Sequence, residues 1–173
     1  MIFWFTGLSG SGKTTFSKFF IKKLNKKIKK KVIHIDGDSF RTIFNDLGYN
    51  FKDRIKNSER VCKLTDFLNK SGKFIIVVSM VSISPKWLNW IRQRNKDYFQ
   101  IFLDVPITIL KDRNLKNIYK KKNIVGVDIR YSKPVDNDFV FKNNFKLIYL
   151  YDSIDKILKN KKIQKRFKIY GRT

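Results

Sequence analysis

The octet Gly7-Leu8-Ser9-Gly10-Ser11-Gly12-Lys13-Thr14 fits the pattern G-x-x-x-x-G-K-[ST] in full, and it constrains the fold more than any other feature of the chain. Such a loop must leave a strand and enter a helix. The flanks agree: Ile2–Thr6 is an apolar strand-like run, and Lys13–Leu24 carries Phe16, Phe19, Phe20 and Leu24 at helical spacing. Glycines let successive backbone N–H groups turn inward onto phosphate oxygens, and the helix N-terminus adds positive dipole. The expected ligand is ATP, with Gly7, Ser9, Gly10, Ser11, Gly12, Lys13, Thr14 and Thr15 around its phosphates. Lys13 reaches the β- and γ-phosphates, and the Thr14 hydroxyl holds Mg²⁺.

Downstream, strand-like runs alternate with amphipathic segments. Val32–Ile35, Phe74–Val78, Gln100–Val105 and Lys146–Leu150 read as strands; Arg60–Asn69 and Tyr151–Leu158 read as helices, and a basic, frayed tail follows. That alternation predicts an α/β fold of the P-loop NTPase type, a parallel sheet with helices on both faces, in one domain over 1–173. Asp36-Gly37-Asp38 closes the second strand, at the sheet edge where open α/β folds bind ligands. Two carboxylates there can organise a magnesium ion or accept the proton of an attacking hydroxyl.

Composition excludes several classes. With 173 residues, 42% hydrophobic and 15% aromatic, the chain is no disordered polyelectrolyte, despite a net charge of +25 from 39 Lys+Arg and 14 Asp+Glu. One cysteine, Cys62, and one histidine, His34, exclude an internal disulfide framework and a histidine-built zinc centre. No apolar run approaches the roughly 20 residues that span a bilayer, so a soluble, cytoplasmic protein is expected. The charge invites a nucleic-acid reading, but no zinc-finger spacing, aromatic–basic RNA-binding signature or zipper accompanies it. Lys, Asn, Ile, Phe and Tyr are abundant together, as A/T-rich codons produce. A small polyanionic substrate is the expected partner; specific nucleic acid is not, and the oligomeric state, a homodimer included, stays open.

A series of blocks in fixed order now resembles one family, the adenylyl-sulfate kinases. These are the P-loop itself, Ile35-Asp36-Gly37-Asp38-Ser39-Phe40-Arg41, Asp46-Leu47-Gly48-Tyr49, Asp53-Arg54 with Asn57, Ile83-Ser84-Pro85, and Phe102–Pro106 with Arg113. Leu115–Lys121, Gly126-Val127-Asp128 and Tyr131 with Pro134 complete the series. The resemblance implies phosphoryl transfer from ATP to the ribose 3′-hydroxyl of a 5′-modified nucleotide. It implies Asp36 as base or magnesium organiser supported by Asp38, with Lys13 catalytic beside them. Arg41, Tyr49, Arg54 and Asn57 would grip the acceptor nucleotide, Ser82 and the backbone around Ile83 and Ser84 would line its base pocket, Lys116 would sit near the transferring phosphate, and Arg113 would face the ATP base. Arginines suit an anionic acceptor because they bind phosphates bidentately.

The departures from the family pattern gather on the acceptor side. Ser82 stands where members usually place an aromatic that stacks on the substrate adenine, leaving Tyr49 alone. Lys86-Trp87-Leu88-Asn89-Trp90 replaces a basic segment, with Trp87 or Trp90 a candidate new wall or helix core. Glu59 stands where an arginine is common, and the lid, about 116–134, is short. Losing one stacking face removes on the order of 1–3 kcal/mol of base binding. An intact donor side beside a rebuilt acceptor side favours cytidine 5′-diphosphoramidate, the substrate of a capsule-phosphoramidate relative in this family, over adenylyl sulfate. Two other classes stay open: a nucleic-acid end kinase or RNA-associated NTPase, and a non-catalytic P-loop protein.

Overall fold

A computed structural model describes residues 1–169, the side chains of Leu115, Lys116 and Ile169 excepted. Lys116 as a side chain, and residues 170–173 of the basic tail, therefore lie outside the described residues. Five strands, β1 Ile2–Thr6, β2 Val32–Asp36, β3 Ile75–Met80, β4 Tyr98–Leu103 and β5 Phe139–Phe141, form one parallel sheet in the order β2-β3-β1-β4-β5. Seven helices surround it: α1 Lys13–Asn25, α2 Gly37–Arg41, α3 Phe51–Lys70, α4 Pro85–Arg94, α5 Ile107–Arg113, α6 Leu147–Lys159 and α7 Lys161–Ile169.

Alternation along β1 divides the core. Phe3 and Phe5 face one side, against Phe16, Phe20 and Leu24 of α1 and Ile154 and Ile157 of α6. Ile2 and Trp4 face the other, against Val61 and Cys62 of α3 and Leu88 and Ile91 of α4. All five β1 side chains are buried, as a strand covered on both faces requires. Cys62 is fully buried and its thiol is pushed up by burial, which fits a packing role.

Two sequence expectations are corrected. Lys146–Leu150 is not a strand: α6 begins at Leu147, and the fifth strand is the three-residue Phe139–Phe141. The tail does not fray after Leu158 either. α7 runs to Ile169, burying Ile163 and Phe167 in the α1/α6 layer while Arg166 pairs with Asp97 at 2.6 Å.

For the site, the ends of three strands matter. Thr6 pairs in register with Met80, and Asp36 with Ser79, so β1, β2 and β3 finish level at the carboxyl edge. Among the described residues, no helix is long and apolar enough to cross a membrane.

Candidate active site

The phosphate loop leaves β1 and enters α1 at Gly12, whose φ of +93° is open to glycine and strained for other residues. Lys13 is buried, and its ammonium donates to the Leu8 carbonyl at 2.8 Å. Burial lowers its pKa to about 8 against the opposing pull of Asp38 and Asp36. The Ser11 hydroxyl is buried inside the loop without a protein partner, an orphan donor that a phosphate oxygen would satisfy. Two residues outside the loop brace it. The Tyr119 hydroxyl donates to the Ser9 carbonyl at 2.7 Å, and Asn143 Nδ2 donates to the Ser11 carbonyl at 2.8 Å. Tyr119 lay within a block of the family resemblance, whereas Asn143 carried no sequence signal.

Asp36 ends β2 and caps α2. Its Oδ1 accepts from the N–H groups of Asp38 (3.1 Å) and Ser39 (3.2 Å), which turns Oδ2 toward the loop. There Oδ2 accepts from Thr14 Oγ1 at 2.8 Å and Ser79 Oγ at 3.0 Å. Burial alone would raise the Asp36 pKa, but these four donors outweigh it and hold the carboxyl below its ordinary value. Gly37 follows because a Cβ there would stand 2.4 Å from Met80 Cβ. Asp38, Thr15, Ser9 and Gly10 line the same cavity, of about 200 Å³, as Lys13 and Asp36.

The Thr14 hydroxyl and Asp36 carboxylate suit a hard cation that prefers oxygen, as Mg²⁺ does. Among the described residues no cluster of three or more His, Cys, Asp or Glu forms a metal cage. Mg²⁺ is usually held by one or two protein oxygens plus substrate phosphates, the number of oxygens that Thr14 and Asp36 offer.

Beyond the loop, the Arg113 guanidinium lies 3.2 Å from the centre of the Phe145 ring. Together with Gly10, Gly12, Thr15 and Asn143 they line a second cavity, of about 150 Å³, on the α6 side. On the other side, Arg41, Arg54 and Asn57 are buried, each at 8% exposure or less. Arg41 donates to the Gly48 carbonyl, Arg54 Nε to the Tyr49 carbonyl at 2.8 Å, and Asn57 Nδ2 to the Gly37 carbonyl at 3.2 Å. Both guanidinium groups lie over the Tyr49 ring, at 4.7 and 5.4 Å. Arg41 Nε and Asn57 Oδ1 remain buried without partners, and buried polar atoms of that kind call for a ligand. Burial and the neighbouring Arg41 lower the Arg54 pKa. Two buried cations this close invite an anion.

On the base-pocket side the structure places Ser82, the two tryptophans, Ile83 and Ser84 as follows. The Ser82 hydroxyl accepts from Trp4 Nε1 at 2.9 Å within the core and borders a cavity of about 180 Å³ with Pro85, Leu88 and Asn89. Trp87 and Trp90 contact each other edge-on at 5.4 Å and pack on the α3/α4 core, so they are helix core and not a new wall. Ser84 caps α4 by accepting from the Trp87 N–H, and Ile83 packs with Leu8 and Val105.

A parallel sheet whose central strand feeds a glycine-rich loop, with a carboxylate hydrogen-bonded across to the loop threonine, defines a P-loop kinase. Residues 1–142 match the adenylylsulphate kinase family, and the chain belongs to that family. It is 35% identical over 149 residues to the cytidine diphosphoramidate kinase of Campylobacter jejuni, covering 83% of this chain and 86% of that protein. It is 36% identical over 147 residues to the adenylyl-sulfate kinase of Clostridium acetobutylicum, covering 77% and 70%. In fold it is similar to the Mycobacterium tuberculosis APS kinase solved with AMPPNP and APS, with a TM-score of 0.78 over 91% of this chain and 94% of that one, at 24% identity. The protein is an ATP-dependent phosphotransferase that acts on a hydroxyl group.

Proposed function

We propose that the protein transfers the γ-phosphoryl group of ATP to the ribose 3′-hydroxyl of cytidine 5′-diphosphoramidate. The observation that carries the choice of acceptor is Ser82. At the position where the family resemblance puts a ring that stacks on a purine, this chain has a small hydroxyl tied to Trp4, and neither Trp87 nor Trp90 borders the cavity beside it. A pyrimidine loses less than a purine at such a wall, because it offers less ring to stack. The likeness to the Campylobacter jejuni enzyme supports the same reading.

The buried cations Arg41 and Arg54, with Asn57, hold the acceptor's 5′-anhydride and phosphate. Lys13 and the loop N–H groups neutralise charge on the transferring phosphoryl group. Thr14 and Asp36 hold Mg²⁺, which supplies further neutralisation of the β- and γ-oxygens when bound. Asp36 is a weak base, since four donors keep it ionised; its role is to hold the cation edge and orient the acceptor hydroxyl. A loose phosphoryl-transfer transition state asks little of a base. Arg113 and Phe145 receive the ATP base, and Asp38 completes the polar lining.

The test is ADP release with MgATP across adenylyl sulfate, cytidine 5′-diphosphate, its phosphoramidate and a short oligonucleotide. Higher kcat/KM with the phosphoramidate is the expected result. Turnover confined to adenylyl sulfate would overturn the choice of acceptor and make Ser82 drift, and oligonucleotide-dependent turnover would replace the class.

A further inference from the structure

A chain of polar atoms runs behind Asp36, away from the phosphate loop. Ser79 Oγ lies 3.0 Å from Asp36 Oδ2 and 3.0 Å from His34 Nε2. The same ring nitrogen lies 3.0 Å from Ser17 Oγ, which lies 3.0 Å from the Thr14 carbonyl oxygen. His34 stands on β2, opposite Val77 of β3, and Ser17 on α1, so the chain ties three elements together.

The hydrogens on this chain can be counted. A carboxylate only accepts, so Ser79 must give its single hydrogen to Oδ2. A carbonyl oxygen also only accepts, so Ser17 must give its hydrogen to Thr14. Both hydroxyls then present lone pairs to the imidazole, and Nε2 has to carry a hydrogen. With a bare Nε2, one serine would turn its hydrogen to the ring and abandon its partner.

We propose that His34 is a positioning residue for Asp36: its Nε2–H holds the Ser79 hydroxyl with its hydrogen aimed at Oδ2, which fixes the carboxylate edge that faces Thr14. The same nitrogen anchors Ser17 and so the first turn of α1, keeping the Thr14 and Asp36 oxygens in register. The effect reaches the acceptor and the nucleotide only through those two oxygens. This inference rests on reading Asp36 as the carboxylate that holds the cation.

His34 is the only histidine in the chain, so the imidazole ¹⁵N–¹H spectrum of histidine-labelled protein reports this residue alone. A protonated Nε2 is expected; a bare Nε2 with the hydrogen on Nδ1 overturns the proposal, whatever the enzyme's activity. In His34→Leu, Mg²⁺ binding to the enzyme–ADP complex, read by calorimetry, should weaken by roughly tenfold, the lower end for loss of an outer partner of a metal ligand. His34→Gln, whose amide N–H can replace Nε2–H, should recover most of it. In a Ser79→Ala background His34→Leu should cost clearly less than it does alone, because only its contact to Ser17 is left to lose. Full Mg²⁺ affinity in His34→Leu, or an undiminished loss with Ser79 absent, would overturn the proposal. If the wild-type protein phosphorylates no nucleotide, the kinase reading fails while the tautomer result still stands.

Discussion

At the residue scale the site is governed by burial. Lys13 sits with its amine against the Leu8 carbonyl, and its pKa falls to about 8 because burial disfavours the charge. The folded value lies below the ordinary 10.5. The unfolded chain therefore binds more protons between those pH values, and this group's contribution to stability rises with pH across that window. Activity should move the other way, since a neutral amine cannot balance phosphate charge. We expect kcat/KM for ATP to fall above about pH 8, whereas kcat holds to higher pH because bound phosphates restore the ammonium. A pH–rate profile of both parameters checks this. Lys13→Ala should lose nearly all transfer, with circular dichroism unchanged. Ser82→Phe tests the opposite wall. It deletes the acceptor of the Trp4 indole N–H, and leaving that donor buried and unpaired costs about 1–3 kcal/mol. It should still raise purine over pyrimidine acceptors in relative kcat/KM, since the ring restores a stacking face. An unchanged acceptor ratio in a folded variant would remove Ser82 from the specificity argument.

At the element scale, much of the fold was legible because local signals and burial agree. β1, α1, β2 and β3 announce themselves through a continuous apolar run, a phosphate-loop octet and β-branched residues. α3 begins nine residues before the expected Arg60, and the missed signal was an asparagine N-cap. Asn50 accepts from the Asp53 N–H at 2.9 Å and donates to Asp53 Oδ2 at 2.7 Å. α6 was misread because Leu147-Ile148-Tyr149-Leu150 is a short apolar run, which periodicity alone cannot assign to strand or helix. Its inner residues Leu150, Ile154 and Ile157 do sit at helical spacing. β5 is only three residues long and gains its identity from pairing with β4, a tertiary fact. The site was legible where a motif carried it and opaque where distant loops supply braces, as with Asn143. α7 is the clearest surprise, since its lysines masked Ile163 and Phe167. Phe167→Ala should cost about 3–5 kcal/mol as a fully buried aromatic truncation, seen as a lower denaturant midpoint. KM for ATP should stay within twofold, as α7 packs in the α1/α6 layer and no described residue of it lines the cavities at the phosphate loop. A small stability loss would mean that α7 docks only loosely.

For the whole molecule, the question is what a charge of +25 does. A part of it lies away from the site: the lysines of α1 beyond Lys13, with those of α6 and α7, sit on the helices that cover one face of the sheet, while the loop and Asp36 stand at its carboxyl edge. Among the residues assigned to the site, Lys13, Arg41, Arg54 and Arg113 stand against Asp36 and Asp38, an excess of two positive charges. Exposed charges farther than about 10 Å are largely screened near 0.1 M salt, so the remote lysines add little to substrate capture in the cell. Of the site cations Lys13, Arg41 and Arg54 are buried and feel salt less, while Arg113 is exposed. Between 50 and 200 mM salt the KM for the nucleotide acceptor should therefore rise only about two- to threefold, with kcat flat, because only the outer field is removed. A protein using its lysine face on nucleic acid through 6–10 phosphate contacts would lose about 10³–10⁵ in affinity over the same range. The two slopes differ by orders of magnitude, so one salt titration of acceptor KM beside oligonucleotide binding separates them. A steep oligonucleotide slope together with a flat acceptor slope would mean that the helical face serves a partner of its own, while the edge of the sheet remains a small-molecule kinase.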